Sequence, residues 1–169
     1  MSVALDLGKR PAVDEAEDLK SRYLVSLKLV ERLHRLLLDV IKDEFERLGR
    51  ADVNSVQALL LYNIGDAELT AGELTSRGYY LGSNVSYNLK KLVDAGYINH
   101  QRSTTDRRSV RVRLTEKGQE VCKVVNDLYH RQLKSLQQVG GLGTGELETL
   151  NKALIKLERF WTDQIRYQL

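Results

Sequence analysis

A long, mostly apolar stripe near the start of the chain constrains the fold more than any other feature of the sequence. Between Glu15 and Leu48 its members recur at steps of three and four residues, the period of one face of an α-helix. They are Leu19, Tyr23, Leu27, Val30, His34, Leu37, Ile41, Phe45 and Leu48. Such a helix would reach ~50 Å, more than the width of a small domain. We therefore expect a second copy of the chain to cover its far end.

The composition is that of a globular protein. The 169 residues suffice for one domain with a core plus a dimerisation arm, and 42% hydrophobic content excludes general disorder. The longest early apolar run, Val3 to Leu7, is too short for a signal peptide or a membrane span. The single cysteine, Cys122, excludes a disulfide framework and a cysteine-rich zinc site. We expect a cytoplasmic protein with no membrane contact, no cofactor and no metal.

Capping signals divide the middle of the chain into short elements. A helix over residues 53–64 is predicted to begin at Asn54 or Asp52, and Gly65 ends it. The sequence "TAGE", from Thr70, is a capping box that opens a short helix. The predicted elements that follow are a helix over 83–95 and two strands over 97–102 and 109–114.

Two helices are predicted at the C-terminal end. Thr115 caps the first, which runs to Gln138. The segment "GGLGTGE", residues 140–146, is interpreted as a hinge, because it lacks the Lys-Ser/Thr pair of a phosphate-binding loop. The last helix carries an apolar side made of Leu147, Leu150, Leu154, Leu157, Trp161 and Ile165.

Positive charge is concentrated in one quarter of the chain. Residues 77–117, here called the basic quarter, hold nine Lys or Arg against three Asp or Glu. The other 128 residues hold 17 basic and 20 acidic side chains. This asymmetry indicates a polyanionic partner for the basic quarter. The alternative is a solvated basic surface without a partner.

The order of elements in the basic quarter predicts a winged helix-turn-helix, which binds double-stranded DNA. The helix over 83–95 is here called the reading helix. Because Val85, Leu89 and Leu92 are expected to face the core, the polar side chains of this helix face outward. Amides and hydroxyls near its start suit base edges in a major groove, whereas the lysines suit phosphates. The predicted DNA-contacting residues of this helix are Ser83, Asn84, Ser86, Tyr87, Asn88, Lys90 and Lys91.

The two strands predict an anchored wing. Val110, Val112 and Leu114 alternate with Arg111 and Arg113, which is the period of a half-buried strand. The wing tip then projects a guanidinium group toward a minor groove, where negative potential is concentrated. The predicted DNA-contacting residues of the wing are Arg102, Asp106, Arg107 and Arg108, with Asp106 orienting Arg108 or Arg102 through a bidentate pair.

These segments resemble a known family. The sequence "DRRSVRVRLTEKG" is similar to the wing of the multiple-antibiotic-resistance regulator (MarR) family, whose pattern is Asp-x-Arg, a strand and Leu-Thr-x-x-Gly. Asp106, Arg108, Leu114, Thr115 and Gly118 occupy its positions. The segment "SNVSYNLKKLVDAGYI" is similar to the family's reading helix. The longer "RGYYLGSNVSYNLKKLVDAGYINHQRS" resembles the LdtR-like subgroup, which regulates L,D-transpeptidase genes.

The resemblance implies a homodimeric transcriptional regulator that binds a pseudo-palindromic operator, with Arg108 in the minor groove and Asp106 steering it. It also implies a small aromatic or anionic effector between the dimerisation helices and the reading domain, and control of cell-wall or stress genes. The candidate effector pocket is His34, Leu38, Leu61 and Tyr62. The alternatives are an interface position for His34 and core packing for Tyr62.

The predicted organisation is mainly α with a small β-ribbon. It comprises a flexible tail over 1–14, a dimerisation helix over 15–48, a winged helix-turn-helix domain over 49–118 and C-terminal dimerisation helices over 119–169. No catalytic constellation stands out, so we expect no enzyme. A rival hypothesis is a winged-helix module that binds a protein partner without sequence-specific DNA binding. Cys122 is interpreted as a small buried hydrophobe, and His100 as a phosphate contact or a plain surface residue.

Overall fold

The computed structural model describes residues 12–76, 82–102 and 110–167. Its elements are α1 Ala12–Arg47, α2 Ser55–Ile64, β1 Leu69–Thr70, α3 Ala71–Ser76, α4 Gly82–Asp94, β2 Ile98–Arg102, β3 Val110–Leu114, α5 Glu116–Gln138 and α6 Thr144–Tyr167. The predicted class, mainly helical with a small β-ribbon and long flanking helices, is confirmed. None of the helices within the described ranges is both long and apolar enough to cross a membrane.

The first helix begins earlier than the stripe predicted. α1 starts at Ala12, so residues 12–14, which were expected in the flexible tail, form its first turn; residues 1–11 lie outside the described part. Asp14 and Glu15 in this turn place negative charge at the positive end of the helix dipole. At the other end Gly49 adopts a φ of 66°, a conformation that favours glycine, and the helix ends before it.

Side-chain caps set the starts of the shorter helices. Of the two caps considered for α2, the structure uses Asn54, whose side chain accepts from the Gln57 N–H at 2.8 Å. The predicted capping box before α3 is confirmed, because the Thr70 N–H donates to Glu73 Oε2 at 2.6 Å. The Thr115 side chain caps α5 by accepting from the Gly118 N–H at 3.2 Å.

The wing strands belong to a three-stranded antiparallel sheet with the order β1-β3-β2. β2 and β3 pair so that Ile98 faces Leu114 and Arg102 faces Val110. The strand β1 was not predicted; it pairs Leu69 with Val112 along the other side of β3. The wing is therefore held along both sides of its central strand.

The hydrophobic core lies in the domain that carries the sheet. It joins the end of α1 to α2, the sheet, α4 and the first half of α5. Its fully buried large side chains are Ile41, Leu60, Leu61, Ile64, Leu74, Leu92, Tyr97, Ile98, Val121 and Val125. In contrast, α6 has no buried residue. The predicted hinge is shorter than expected, because Thr144 to Glu146 already belong to α6.

A buried carboxylate joins the two long helices that flank the core. Glu44 on α1 is 7% exposed and pairs with Arg131 on α5. Arg47 completes the cluster, with its Nη2 2.8 Å from Glu44 Oε1 and its Nε 3.0 Å from Oε2. The hydrogen bond from Arg47 is the main cause that lowers the pKa of Glu44, with a further contribution from Arg131 and an opposing effect of burial.

This lowered pKa predicts an acid-sensitive contribution to stability. The contribution is present above the ordinary Glu value of 4.5 and is lost as pH falls through the lower pKa of the folded state. At neutral pH, Glu44→Gln should lower the free energy of unfolding by about 1–2 kcal/mol, and the difference should shrink below pH ~4. Urea unfolding at several pH values measures it.

The matched control is Glu148→Gln, which removes a carboxylate that pairs with Lys152 on the exposed surface of α6. We expect a change below about 0.5 kcal/mol and no added pH dependence. Equal effects of the two substitutions on the free energy of unfolding would show that the Glu44 cluster stabilises the fold no more than an exposed ion pair does.

Candidate nucleic-acid interface

The reading helix, α4, has the inner and outer faces that the sequence predicted. Leu89 and Leu92 are 7% and 1% exposed and face the core. Ser86, Tyr87, Lys90 and Lys91 are exposed, and Asn88 is half-buried. Ser83 and Asn84 lie in the first turn of α4, but their side chains, like that of Val85, lie outside the described part.

Two exposed side chains of the reading helix contact each other. The Lys91 ammonium lies 4.8 Å from the ring centroid of Tyr87, which is 59% exposed. A cation over an aromatic face is attracted by the ring quadrupole, and residues four apart are neighbours on a helix. The contact fixes an aromatic ring and a positive charge side by side on the exposed face. The pair was not among the predictions from the sequence, although a spacing of four residues on a helix was a usable signal.

The wing is described up to its tip. Val112 and Leu114 are 3% and 5% exposed, which confirms that the ribbon packs its apolar face on the domain. The backbone of Arg102 pairs with Val110 at the last described position of the ribbon. The side chain of Arg102 and the predicted contacts Asp106, Arg107 and Arg108 lie outside the described residues. Their roles therefore remain predictions.

The exposed face of the two wing strands carries further positive charge. Arg111 and Arg113 are exposed there, opposite Gln101 and Asn99 on β2. These side chains line a polar groove of about 540 Å³ at the start of α5. The described part of the chain contains no ion pair of either arginine. Glu68 and Glu116 line the same groove, so the positive charge there is partly offset without a direct ion pair.

The residues of the candidate effector pocket lie in different environments. His34 is exposed on α1, Leu38 is half-buried against the core and Leu61 is completely buried. The Tyr62 ring packs edge-on against Tyr129 with the ring centroids 5.1 Å apart. The placement of Tyr62 matches the core-packing alternative, and these four side chains do not line one open cavity. The effector pocket remains a prediction.

The surroundings of Cys122, His100 and His130 are those of ordinary structural or surface residues. Cys122 is half-buried against the core, and burial raises the pKa of its thiol. His100 is exposed, and the His130 ring lies 2.8 Å from the Asn126 carbonyl. Within the described ranges no group of three or more His, Cys, Asp or Glu side chains is placed to hold a metal ion.

The chain is similar in sequence to known DNA-binding proteins. A family profile described as a winged helix DNA-binding domain matches residues 53–118. Over 153 residues the chain is 37% identical to the exopolysaccharide II synthesis transcriptional activator ExpG of Rhizobium meliloti (strain 1021), covering 90% of this chain and 78% of the relative. The profile is described as a DNA-binding domain and the relative as an activator of transcription, and neither description names an enzyme.

Solved structures share the fold over most of the chain. A MarR protein from Peptoclostridium difficile matches with a TM-score of 0.69 at 16% identity, over 100% of this chain and 99% of that one. FabT from Streptococcus pneumoniae, solved in complex with DNA, matches with a TM-score of 0.61 at 22% identity, over 84% of this chain and 98% of that one. With its winged helix, its long flanking helices and these relatives, the chain belongs to the MarR family of winged-helix transcriptional regulators.

Proposed function

We propose that the chain acts as a homodimer that binds a pseudo-palindromic DNA operator through α4 and the wing. The observation that carries the proposal is the combination of two surfaces. One is the exposed polar and basic face of α4, and the other is the apolar surface that α1 and α6 leave uncovered. The first surface suits a duplex, and the second suits another copy of the chain.

The uncovered apolar surface supports the dimer. The exposed large apolar side chains of α1 and α6 include Leu19, Leu24, Val25, Leu29, Leu33, Leu36, Leu150, Ile155, Phe160 and Ile165. A groove of about 750 Å³ between the two helices is lined by Val30, Leu154, Trp161 and neighbours. Large exposed apolar surfaces often mark interaction sites, and a symmetric pairing of two copies would bury these side chains.

A two-fold axis between the copies explains how the operator would be read. Two reading helices about 34 Å apart address successive major grooves on one side of a duplex. The amide and hydroxyl groups of Ser83, Asn84, Ser86, Tyr87 and Asn88 would face base edges, while Lys90 and Lys91 would meet phosphates. In the wing, Arg102, Arg107 and Arg108 would contact the minor groove and its flanking phosphates. Asp106 would orient Arg108 or Arg102 through a bidentate pair.

The proposal includes an effector and a class of target genes. Family likeness supports a small aromatic or anionic effector that changes the spacing of the two reading helices. The LdtR-like resemblance favours cell-wall or stress genes, whereas the ExpG relative is named for exopolysaccharide II synthesis. A cytoplasmic location belongs to the proposal because a regulator must reach the genome. Melting shifts across a library of aromatic acids would test the effector.

Substitutions in the wing and the reading helix test the assigned roles. We expect Arg108→Ala to weaken operator binding by about 1–3 kcal/mol, because a guanidinium leaves the minor groove. Asn84→Ala should instead relax the preference for operator over altered sequences. Titrations of wild type and both variants at one salt concentration measure these effects. Unchanged affinity and preference in both variants would favour the rival hypothesis, a module that binds a protein partner.

A further inference from the structure

The turn between the reading helix and the wing is fixed by one buried residue. Tyr97 lies between the end of α4 and the start of β2 and is 1% exposed. Its N–H donates to the Leu92 carbonyl at 2.8 Å, and its carbonyl accepts from the Thr115 N–H at 3.0 Å. Because both backbone groups are bonded, the position of Tyr97 determines where the reading helix ends and where the wing begins.

The hydroxyl of Tyr97 connects this turn to the first long helix. It donates to the carboxylate of Asp52, in the loop between α1 and α2. Arg50 holds the same carboxylate, with its Nη2 3.0 Å from Oδ2 and its Nε 3.3 Å from Oδ1. The Arg50 N–H donates to the Phe45 carbonyl at 2.8 Å, and its guanidinium lies 5.7 Å from the Phe45 ring centroid. These contacts form a continuous path from Phe45, near the end of α1, through Arg50 and Asp52 to Tyr97.

The protonation states of the pair suit this connection. Burial, with help from the Asp52 carboxylate, raises the pKa of Tyr97 to about 12. The hydrogen bond from Arg50 is the main cause that holds the pKa of Asp52 well below its ordinary value. The hydroxyl therefore remains a donor and the carboxylate an acceptor across the physiological pH range.

The second long helix holds the same turn from the other side. The Lys117 ammonium, at the start of α5, lies 4.2 Å from the ring centroid of Tyr97 and donates to the Ala95 carbonyl at 2.9 Å. The Thr115 hydroxyl donates to the Gly96 carbonyl at 2.7 Å. Both α1 and α5 extend from the domain that contains the reading helix. A change in their spacing would therefore reach the reading helix through this turn.

We propose that Tyr97 is a positioning residue for DNA recognition, whose hydroxyl sets the orientation of the reading helix and wing relative to α1 through Asp52 and Arg50. The inference rests on the proposed function, in which two such domains must match the spacing of one operator. A side chain that is 1% exposed is shielded from DNA, so its effect on binding is indirect. A small rotation of each domain would misplace both reading helices with respect to the grooves.

The test uses Tyr97→Phe and Asp52→Asn in the full chain, with operator affinity measured at several salt concentrations. We expect each substitution to weaken binding about tenfold, because Tyr97→Phe removes the donor hydroxyl and Asp52→Asn removes the charge of its acceptor and the ion pair with Arg50. The double variant should weaken binding by less than the product of the two single effects, since both substitutions act on the Tyr97–Asp52 contact. For Tyr97→Phe the slope of log affinity against log salt should stay at the wild-type value, because no phosphate contact is lost.

Ile64→Val is the control for a general loss of stability, because it removes one methylene from the core on α2 and leaves the hydrogen-bonding groups of Tyr97, Asp52 and Arg50 unchanged. We expect it to lower the melting temperature by a similar amount and to leave operator affinity unchanged at a temperature where all variants are folded. Wild-type affinity in Tyr97→Phe would overturn the inference. A loss no larger than that of Ile64→Val, or a changed salt slope, would overturn it as well.

Amide hydrogen exchange on the free protein separates this inference from the proposed function. Exchange in α4 and β2 should be faster in Tyr97→Phe than in wild type and unchanged in Ile64→Val. If the wild type does not distinguish the operator from other duplexes, the proposed function fails, and the exchange data alone decide the inference. Unchanged exchange in α4 and β2 would then overturn it.

Discussion

Gly118→Ala should destabilise the folded protein by about 3 kcal/mol. A Cβ atom at this position would lie 2.3 Å from the Tyr97 carbonyl oxygen and 3.3 Å from Leu114 Cβ. The first of these distances is too short for any real contact, and the atom it meets belongs to the backbone. Because the same carbonyl accepts from Thr115, it cannot shift without loss of that hydrogen bond. Urea unfolding at one fixed protein concentration measures the effect.

The matched control for this substitution is Gly145→Ala. Gly145 is also near the start of a long helix, but a Cβ atom there would meet nothing within 4 Å. Alanine favours helix over glycine, so the control should stabilise the protein by up to ~1 kcal/mol. If the two substitutions changed the free energy of unfolding alike, the close approach of α5 to Tyr97 would not hold. The glycine of the family's Leu-Thr-x-x-Gly pattern thus has a steric reason in this fold.

Operator affinity should fall by roughly 10³-fold between 50 and 200 mM salt, the response of a protein with about six phosphate contacts. Each copy would bring Lys90, Lys91 and an arginine of the wing to the DNA backbone. Binding releases counterions from the phosphates, and the entropy gained by this release becomes smaller as the salt concentration rises. Titration of one labelled operator duplex across this range measures the slope of log affinity against log salt.

Two lysine substitutions show whether the slope arises at the proposed surface. Lys90→Ala should reduce its magnitude by about two for a dimer, one contact per copy. Lys152→Ala removes a lysine of α6 that pairs with Glu148, and it should leave the slope as in wild type. A flat salt response in the wild type would contradict binding through the basic quarter.

The features that the sequence predicted well are those set by neighbouring residues. The capping box of Thr70 and Glu73 and the Thr115 cap depend on side chains within three positions of each other. The inward face of the reading helix follows in the same way from the spacing of Leu89 and Leu92. These features depend on residues that are close together in the sequence, so they can be predicted without knowing how the rest of the chain folds.

The features that the sequence missed depend on distant partners. The strand β1 has two residues and exists because one side of β3 is free to pair. Tyr97 and Asp52 are 45 positions apart, and a tyrosine beside Ile98 is indistinguishable from an ordinary core residue until its hydroxyl partner is known. Leu61 shows that burial also depends on distant partners, because this candidate pocket residue is completely buried in the core.

The most direct test of the proposed function is the selection of fragments of the source genome that bind the purified protein, followed by sequencing. We expect the enriched fragments to share an inverted repeat whose two halves are about one helical turn, roughly 34 Å, apart centre to centre. Enrichment of fragments that share no inverted repeat, or recovery of all fragments in proportion to their input, would contradict a dimer that reads a specific operator.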